Sequence, residues 1–263
     1  MEAPSETKKL LWDYRKTEWL GCKMRASPPP KALTGACACS HNVLIMCSRY
    51  SQTKSPAELA KRFKARAPKS NLQPRYNIAP TQDAPVLRLD GEGAREIALL
   101  RWGLVPSWSK EIAGAPLINA RAETLHEKAS FKQSFERRRC LVLSDGFYEW
   151  QKSGKDKLPW RFLRQDGEAF AMAGLWDVWR PAQGEPVESF TIVTTTANDL
   201  VRPVHDRMPV IFPDEESASA WLDKPSAELL APCPTFVMDA YRIGPAVGNF
   251  RNDVESLLAP IEA

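Results

Sequence analysis

Short runs of alternating apolar and polar residues occupy most of the chain, and this pattern predicts a protein built mainly from β-strands. Ala84–Leu89 and Ile97–Gly103 are predicted to form two strands joined by a turn at Asp90-Gly91. Further strands are predicted in aromatic and β-branched segments separated by Gly and Pro: Cys140–Trp150, Trp160–Arg164, Ala169–Trp179 and Phe190–Thr196.

Helical signals are fewer. Ser55 followed by Pro56 predicts a capped helix start, and Leu59 and Phe63 are then one turn apart. Two more helices are predicted at Ser130–Arg139 and at Glu215–Leu222. Because the helices do not alternate regularly with the strands, the pattern argues against a doubly wound sheet.

Residues 1–46 lack this patterning and contain Pro28-Pro29-Pro30, so they are predicted to be a disordered or weakly structured extension. Globular signals begin directly after Met46, at Cys47. Two interpretations stay open: the true translation start is Met46 and the extension is an artefact, or the extension is a pro-segment. The domain boundaries expected are therefore 1–46 and 47–263.

The bulk composition fits a single core. The chain has 263 residues and 43% hydrophobic content. No stretch approaches the roughly 18 apolar residues that span a bilayer, and the first 20 residues lack a signal-peptide core. We therefore expect a soluble, cytoplasmic protein without a membrane partner, associated with the nucleoid if the source is bacterial.

The net charge of +4 does not by itself argue for nucleic acid. Residues 1–46 hold seven of the 36 Lys/Arg and four of the 32 Asp/Glu, which leaves 29 basic and 28 acidic side chains after them. Only a local cluster of arginines can then provide a DNA-binding surface.

Six cysteines follow no disulfide framework, and reduced thiols fit a cytosolic protein better. Cys37, Cys39 and His41 are close in sequence, but no second ligand pair follows at zinc-site spacing. We expect neither a metal nor another cofactor.

Cys47 carries the most distinctive chemistry if it becomes the N-terminal residue. Its α-amine, with an ordinary pKa of about 7.7–8.0, and its thiol, about 8.5, are then both partly nucleophilic near pH 7. The amine can form a Schiff base with an aldehyde, and the thiol can close a stable thiazolidine ring. The alternative is a small buried cysteine that happens to follow a start methionine.

Two further residues are candidates for proton transfer. Glu149 stands among large apolar residues in Gly146–Trp150, which would raise its carboxyl pKa, although a solvent-facing strand residue is an equal alternative. His205 precedes Asp206 and Arg207, so it can act as an acid near neutral pH or simply bond a turn.

A third group of residues suits DNA contacts. Asn119 and Arg121 lie two positions apart and share a face if the segment is extended, where they can orient a sugar and hold a phosphate. The alternative is a structural salt bridge between an arginine and Glu123. Trp102, Trp108 and Trp150 can stack on bases, or belong to the core.

Taken together, six ordered motifs resemble the SOS-response-associated peptidase family, also called abasic-site processing proteins. The motifs are Met46–Tyr50, Arg75–Thr81, Arg101–Pro106, Asn119–Thr124, Asp145–Trp150 and His205–Pro209, and the match continues to the Ala246–Asp253 region.

The resemblance implies a single α+β domain with a β-barrel-like antiparallel core, peripheral helices and a basic groove for single-stranded DNA. It also implies a DNA-damage response protein that forms a covalent cross-link with abasic sites, and autoproteolytic release of the residues ahead of the cysteine. The expected partner is single-stranded DNA containing abasic sites, with the replication machinery as a candidate protein partner. We expect a monomer.

Residue roles follow from the same resemblance. Cys47 resembles the cross-linking nucleophile, and Asn119 the residue that positions the opened sugar or the cysteine. Glu149 resembles the acid/base in amine attack and ring opening, and His205 the acid that acts on the sugar hydroxyl and in reversal. The remaining roles are phosphate contacts by Arg49, Arg121 and Arg207, and surfaces beside the bases from Trp108 and Trp150.

Two departures from the family pattern are visible. Ser48 stands where Gly is frequent, which is tolerable. The extension matters more, because an acylated Cys47 nitrogen has no free lone pair for imine formation. Two other functions stay open: an N-terminal-nucleophile hydrolase or cysteine peptidase, and a non-catalytic single-stranded DNA-binding module.

Overall fold

The computed structural model describes residues 47–68, 71–112 and 114–261. The predicted extension, together with the Cys37, Cys39 and His41 cluster, lies outside the described residues. The division of the chain at residue 46 therefore stays a prediction.

Within the described residues the chain forms three α-helices and thirteen strands. The helices are α1 Pro56–Phe63, α2 Ala129–Arg137 and α3 Glu215–Asp223. The strands are β1 Tyr50–Gln52, β2 Arg75–Ile78, β3 Asp83–Leu89, β4 Arg95–Trp102, β5 Asn119–Arg121, β6 Arg139–Ser144, β7 Gly146–Ser153, β8 Asp156–Arg164, β9 Phe170–Trp179, β10 Val187–Thr196, β11 Arg207–Pro209, β12 Ile211–Phe212 and β13 Met238–Arg242.

The strands form two sheets. One has the order β13-β8-β7-β1-β2, and its pairings are antiparallel. In the other, β10, β4, β3, β6 and β9 follow one another and β9 pairs back to β10, so these five strands close a ring. The predicted α+β class is confirmed, and closure of the ring leaves its strands without a free edge. Two pairings of β10, with β4 and β5, are parallel.

Local sequence explains the predicted helices. The Ser55 side chain accepts the Glu58 amide and Glu58 accepts the Ser55 amide, which is a complete capping box ahead of α1. Leu59 is the buried residue of that helix. In α2, Phe131 is buried as the periodicity predicts. Arg139, predicted at the helix end, instead opens β6 and donates to the carbonyls of Trp221 and Leu222 in α3.

Trp102 is one of two wholly buried tryptophans among the described residues, and it packs between Tyr50 and Phe190. Its indole N–H donates to the carbonyl of Ile118. A side chain in this position cannot reach a DNA base, so of the two alternatives for Trp102 the structure supports the core position.

The C-terminal segment is attached to β2 by two polar side chains. The amide of Asn77 donates to the carbonyls of Val247, Asn249 and Asn252, and Asp253 accepts the backbone N–H groups of Tyr76 and Asn77. These bonds join the Arg75–Thr81 motif directly to the Ala246–Asp253 region. Among the described residues, no helix is both long and apolar enough to cross a membrane.

Candidate active site

The strand pairing of β1 with β7 brings Cys47 to Glu149. Tyr50 lies opposite Phe147, and the Tyr148 amide donates to the carbonyl of Arg49. Continuing that register toward the start of β1 leads to Glu149, where the backbone nitrogen of Cys47 donates to Oε1 at 2.6 Å. Two residues 102 positions apart are thus in direct contact.

Glu149 is buried, with 3% of its surface exposed, so the alternative of a solvent-facing strand residue is wrong. Removal of the carboxylate from water raises its pKa to about 8. The backbone N–H groups of Cys47 and Trp150 oppose this rise, while the negative charge of Asp206 adds to it. At neutral pH the group is therefore largely protonated and can donate a proton.

Cys47 is itself buried, and burial together with the nearby Glu149 charge raises the pKa of its thiol well above the ordinary value. The thiol thus stays protonated at neutral pH, whereas the sequence suggested partial ionisation. Of the two groups on Cys47, the nitrogen is the one in contact with a proton-transfer partner.

Cys47 also has a left-handed backbone, with φ at 41°. This conformation costs an L-residue roughly 1–2 kcal/mol.

The His205 turn lies beside β7. The Gln151 amide donates to the carbonyl of Pro203 at 3.2 Å, and the charge of Asp206 acts on Glu149. The Nδ1 atom of His205 accepts the Arg207 amide at 3.1 Å and lies 2.9 Å from Oδ1 of the exposed Asp206.

Burial lowers the pKa of His205, against the opposing effect of Asp206. The imidazole is therefore mainly neutral at pH 7. Nδ1 lies within hydrogen-bonding distance of both a donor, the Arg207 amide, and an acceptor, the Asp206 carboxylate, so the site of the ring proton depends on which of the two it bonds. The histidine bonds its turn, and it can act as an acid only in the protonated form, which the charge of Asp206 favours. The acid role stays a prediction.

The second half of β10 gathers three of the predicted site residues. Asn119 lies opposite Ile192 and Arg121 opposite Thr194, both on β5. Arg207 lies opposite Thr196, on β11. These residues come from segments almost 90 positions apart, and β10 places them around one stretch of backbone.

The arginine near Glu123 that forms a salt bridge is Arg207, rather than the neighbouring Arg121. Its Nη1 and Nη2 atoms donate to the two carboxylate oxygens of Glu123 at 2.5 and 3.0 Å.

Arg49, another predicted phosphate contact, is half-buried, and desolvation lowers its pKa. Its Nε atom finds no acceptor among the described residues.

Trp108 and Trp150 differ in accessibility. Trp108 is 60% exposed, in a loop whose backbone is held by buried polar groups. Ser107 donates its amide to Asp177, Val105 donates its amide to Ser189, and the Trp179 indole donates to the carbonyl of Ser109. Trp150 is partly buried against the cluster around Tyr148. A rigid loop that presents an exposed indole suits stacking on a flat ring.

Asp145 is a site-organising residue to which sequence reasoning gave no role. Its carboxylate accepts from the Ser51 hydroxyl at 2.5 Å and from the Thr53 amide at 2.7 Å, and it pairs with Arg161. These bonds hold β1 at the start of β7 and so support the Cys47–Glu149 contact. The feature of the sequence that could have indicated this role was a lone acidic residue between two apolar strand segments.

Within the described part of the chain, no group of His, Cys, Asp or Glu is arranged to hold a metal ion.

Residues 46–250 match the family model described as SOS response associated peptidase (SRAP). The chain belongs to this family, as its six motifs predicted. The match begins at Met46, directly before Cys47.

Named relatives and solved structures agree with that assignment. "Abasic site processing protein YoqW" of Bacillus subtilis is 36% identical over 223 residues, covering 81% of this chain and 99% of that protein. "Abasic site processing protein HMCES" of Xenopus tropicalis is 32% identical, covering 72% of this chain and 67% of that protein. A protein of known structure from Bacteroides thetaiotaomicron has a TM-score of 0.71 at 27% identity, covering 82% of this chain and all of the other. A Bordetella bronchiseptica structure has a TM-score of 0.67 at 29% identity, covering 75% of this chain and all of the other.

Proposed function

We propose that this chain, once Cys47 is its N-terminal residue, forms a covalent thiazolidine cross-link with ring-opened abasic sites in single-stranded DNA. The observation that carries the proposal is the 2.6 Å contact between the Cys47 nitrogen and the buried Glu149 carboxyl. The relatives named abasic site processing proteins support the same substrate.

The amine reacts first in this mechanism. Its lone pair attacks C1′ of the ring-opened sugar, which is an aldehyde, and forms a carbinolamine. Glu149 then gives a proton to the departing hydroxyl and takes back the proton on the nitrogen, so that one water leaves, the imine forms and Glu149 is again protonated. Glu149 is suited to this step because burial raises its pKa to about 8 and keeps it protonated.

Ring closure follows at the thiol. The sulfur of Cys47 adds to the imine carbon, its proton passes to the imine nitrogen by way of Glu149, and a five-membered ring results. No electrons are gained or lost from outside. The raised pKa of the buried thiol keeps it from reacting before the imine is present, which explains the order of the steps.

The remaining predicted residues act on the DNA. Asn119 orients the opened sugar, and His205 in its protonated form, which the Asp206 carboxylate 2.9 Å from Nδ1 favours, acts as the acid on the sugar hydroxyl and in reversal. Arg121 and Arg207 flank β10 and hold phosphates, as does Arg49. Trp108 and Trp150 provide surfaces beside the bases.

Exposure of the Cys47 amine completes the proposal. An acylated nitrogen delocalises its lone pair and cannot form an imine, so residues ahead of Cys47 must be absent or released by self-cleavage. Backbone strain is concentrated at functional sites, and the left-handed φ of Cys47 supports a self-cleavage step at this position. The protein isolated from its native cell should begin at Cys47 by mass spectrometry, and an active protein that begins at Met1 contradicts the proposal.

A denaturing gel tests the cross-link. The protein beginning at Cys47 is incubated with a labelled single-stranded oligonucleotide that carries one abasic site, and a heat-resistant shifted band is expected. Cys47→Ala should abolish the band. Cys47→Ser should also give no heat-resistant band, and because both variants keep the α-amine, each should give a stable product only after borohydride reduction of the imine. Binding without any band supports a non-catalytic module, and amide turnover without DNA supports a hydrolase.

A further inference from the structure

The carboxylate of Glu123 occupies the place on Arg207 that a phosphate would take. Both terminal nitrogens of Arg207 donate to it, one to each oxygen. This two-pronged geometry is also the way in which a guanidinium binds two oxygens of a phosphate. In the DNA-free protein, the best phosphate-binding face of Arg207 is already filled.

A second arginine, Arg121, acts on the same carboxylate through its positive charge. The hydrogen bond from Arg207 is the main reason why the pKa of Glu123 is lowered, and the positive charge of Arg121 lowers it further. Glu123 therefore stands in the field of two of the three predicted phosphate contacts. A bound DNA backbone would likewise supply a negative group to Arg207 within the field of Arg121.

Arg207 and Glu123 differ in how firmly they are held. Nη2 of Arg207 donates to the carbonyl of Thr194 at 2.7 Å and lies 3.2 Å from its hydroxyl, and the arginine side chain is only 11% exposed. The Glu123 side chain is 47% exposed. When an anion approaches from solvent, the glutamate is the partner that can rotate away while the arginine stays in position.

We propose that Glu123 is a built-in competitor of DNA, a carboxylate that neutralises Arg207 until a backbone phosphate displaces it. The inference rests on the proposed function, since it takes Arg207 as a phosphate contact. Its consequence is selectivity: a strand gains the Arg207 contact only when its phosphate is placed well enough to replace a charged hydrogen-bonded partner. Poorly placed anions do not displace the glutamate.

The test measures reversible binding of an undamaged single-stranded oligonucleotide by fluorescence anisotropy, at several salt concentrations. Glu123→Gln and Glu123→Ala should both bind roughly two- to tenfold more tightly at low salt, because no ion pair has to be broken. The plot of log K against log salt should steepen by up to about 0.7, the value for one added phosphate contact on a single strand.

Two controls isolate the effect. Glu168→Gln removes the carboxylate from another exposed arginine pair, that with Arg62 at 3.4 Å, and should leave binding and slope unchanged. In an Arg207→Gln background, Glu123→Gln should have no further effect on the slope. Thermal melting of each variant reports whether it is folded.

Weaker or unchanged binding by both folded Glu123 variants overturns the inference, because Glu123 then orients Arg207 or leaves it unaffected. The anisotropy measurement uses undamaged DNA, so it does not depend on formation of the covalent cross-link. If the Glu123 variants bind more tightly but the wild type gives no cross-link, the inference holds and the proposed function fails. If cross-linking occurs and the Glu123 variants bind no more tightly, only the inference fails.

Discussion

The backbone nitrogen of Cys47 donates to Oε1 of Glu149 across a separation of 102 residues. Both residues are almost completely removed from solvent. The contact joins the atom that becomes the α-amine to a carboxyl that is protonated at neutral pH, and most of the expected behaviour of the protein depends on this pair.

Replacement of Glu149 by Gln should slow cross-linking by about 10²-fold or more, as expected for the loss of an acid/base group. Gln fills the same space but has no proton to transfer. Single-turnover gels give the rate, and anisotropy with undamaged DNA should show little change in affinity. An equal loss of both would indicate a structural role.

The rate of cross-linking should pass through a maximum near pH 8. Below the maximum the Cys47 amine is protonated and cannot attack, and above it Glu149 loses the proton that it donates, since its pKa is about 8. In Glu149→Gln the alkaline decline should disappear while the acidic limb stays. An alkaline limb that persists in this variant would assign the decline to another group.

Glu149 should also make the folded chain less stable as the pH rises. Burial raises its folded pKa to about 8 from an ordinary value near 4.5, so the protonated form is favoured by folding. That contribution is complete below about pH 4.5 and is lost as the pH rises through about 8, a change on the order of a few kcal/mol in the free energy of unfolding. Urea unfolding of Glu149→Gln should lack this decline and show greater stability at pH 8. A parallel decline in both proteins would exclude Glu149 as its source.

His205→Gln should lengthen the lifetime of the cross-link by removing the acid that assists reversal. The assay transfers a preformed cross-link into excess competitor DNA and follows its decay on a denaturing gel. His126→Gln is the matched control, because His126 is a half-exposed histidine paired with Glu127. Unchanged decay in His205→Gln would remove this role.

Trp108→Ala should weaken binding of single-stranded DNA by about 1–3 kcal/mol, the usual contribution of one stacked base. Its indole is 60% exposed, so the free energy of unfolding should change little. Phe236→Ala, which removes a 77% exposed ring elsewhere, should leave DNA affinity unchanged. Equal effects of the two substitutions would indicate a non-specific loss of apolar surface.

Several local features could be predicted because they depend on neighbours in sequence. The capping box of Ser55 and Glu58 begins α1 where the pattern indicated, and the Asp90-Gly91 turn joins β3 to β4. Trp102 was ambiguous, since an aromatic residue in an alternating strand fits both a core and a stacking surface. Only the closure of the five-stranded ring decides that Trp102 is inside.

The sequence by itself determined the family, through the order of its six motifs, and the chemistry available to an N-terminal Cys47. Tertiary structure alone decided which groups meet and how they ionise. Sheet register brings Glu149 to Cys47, and burial then raises the pKa values of both side chains. Strand pairing also makes Glu123 the salt-bridge partner of Arg207, 84 positions away, rather than of the nearby Arg121. Contacts between distant segments and the loss of water around a charge depend on how the strands pack together, and no local pattern of residues specifies them.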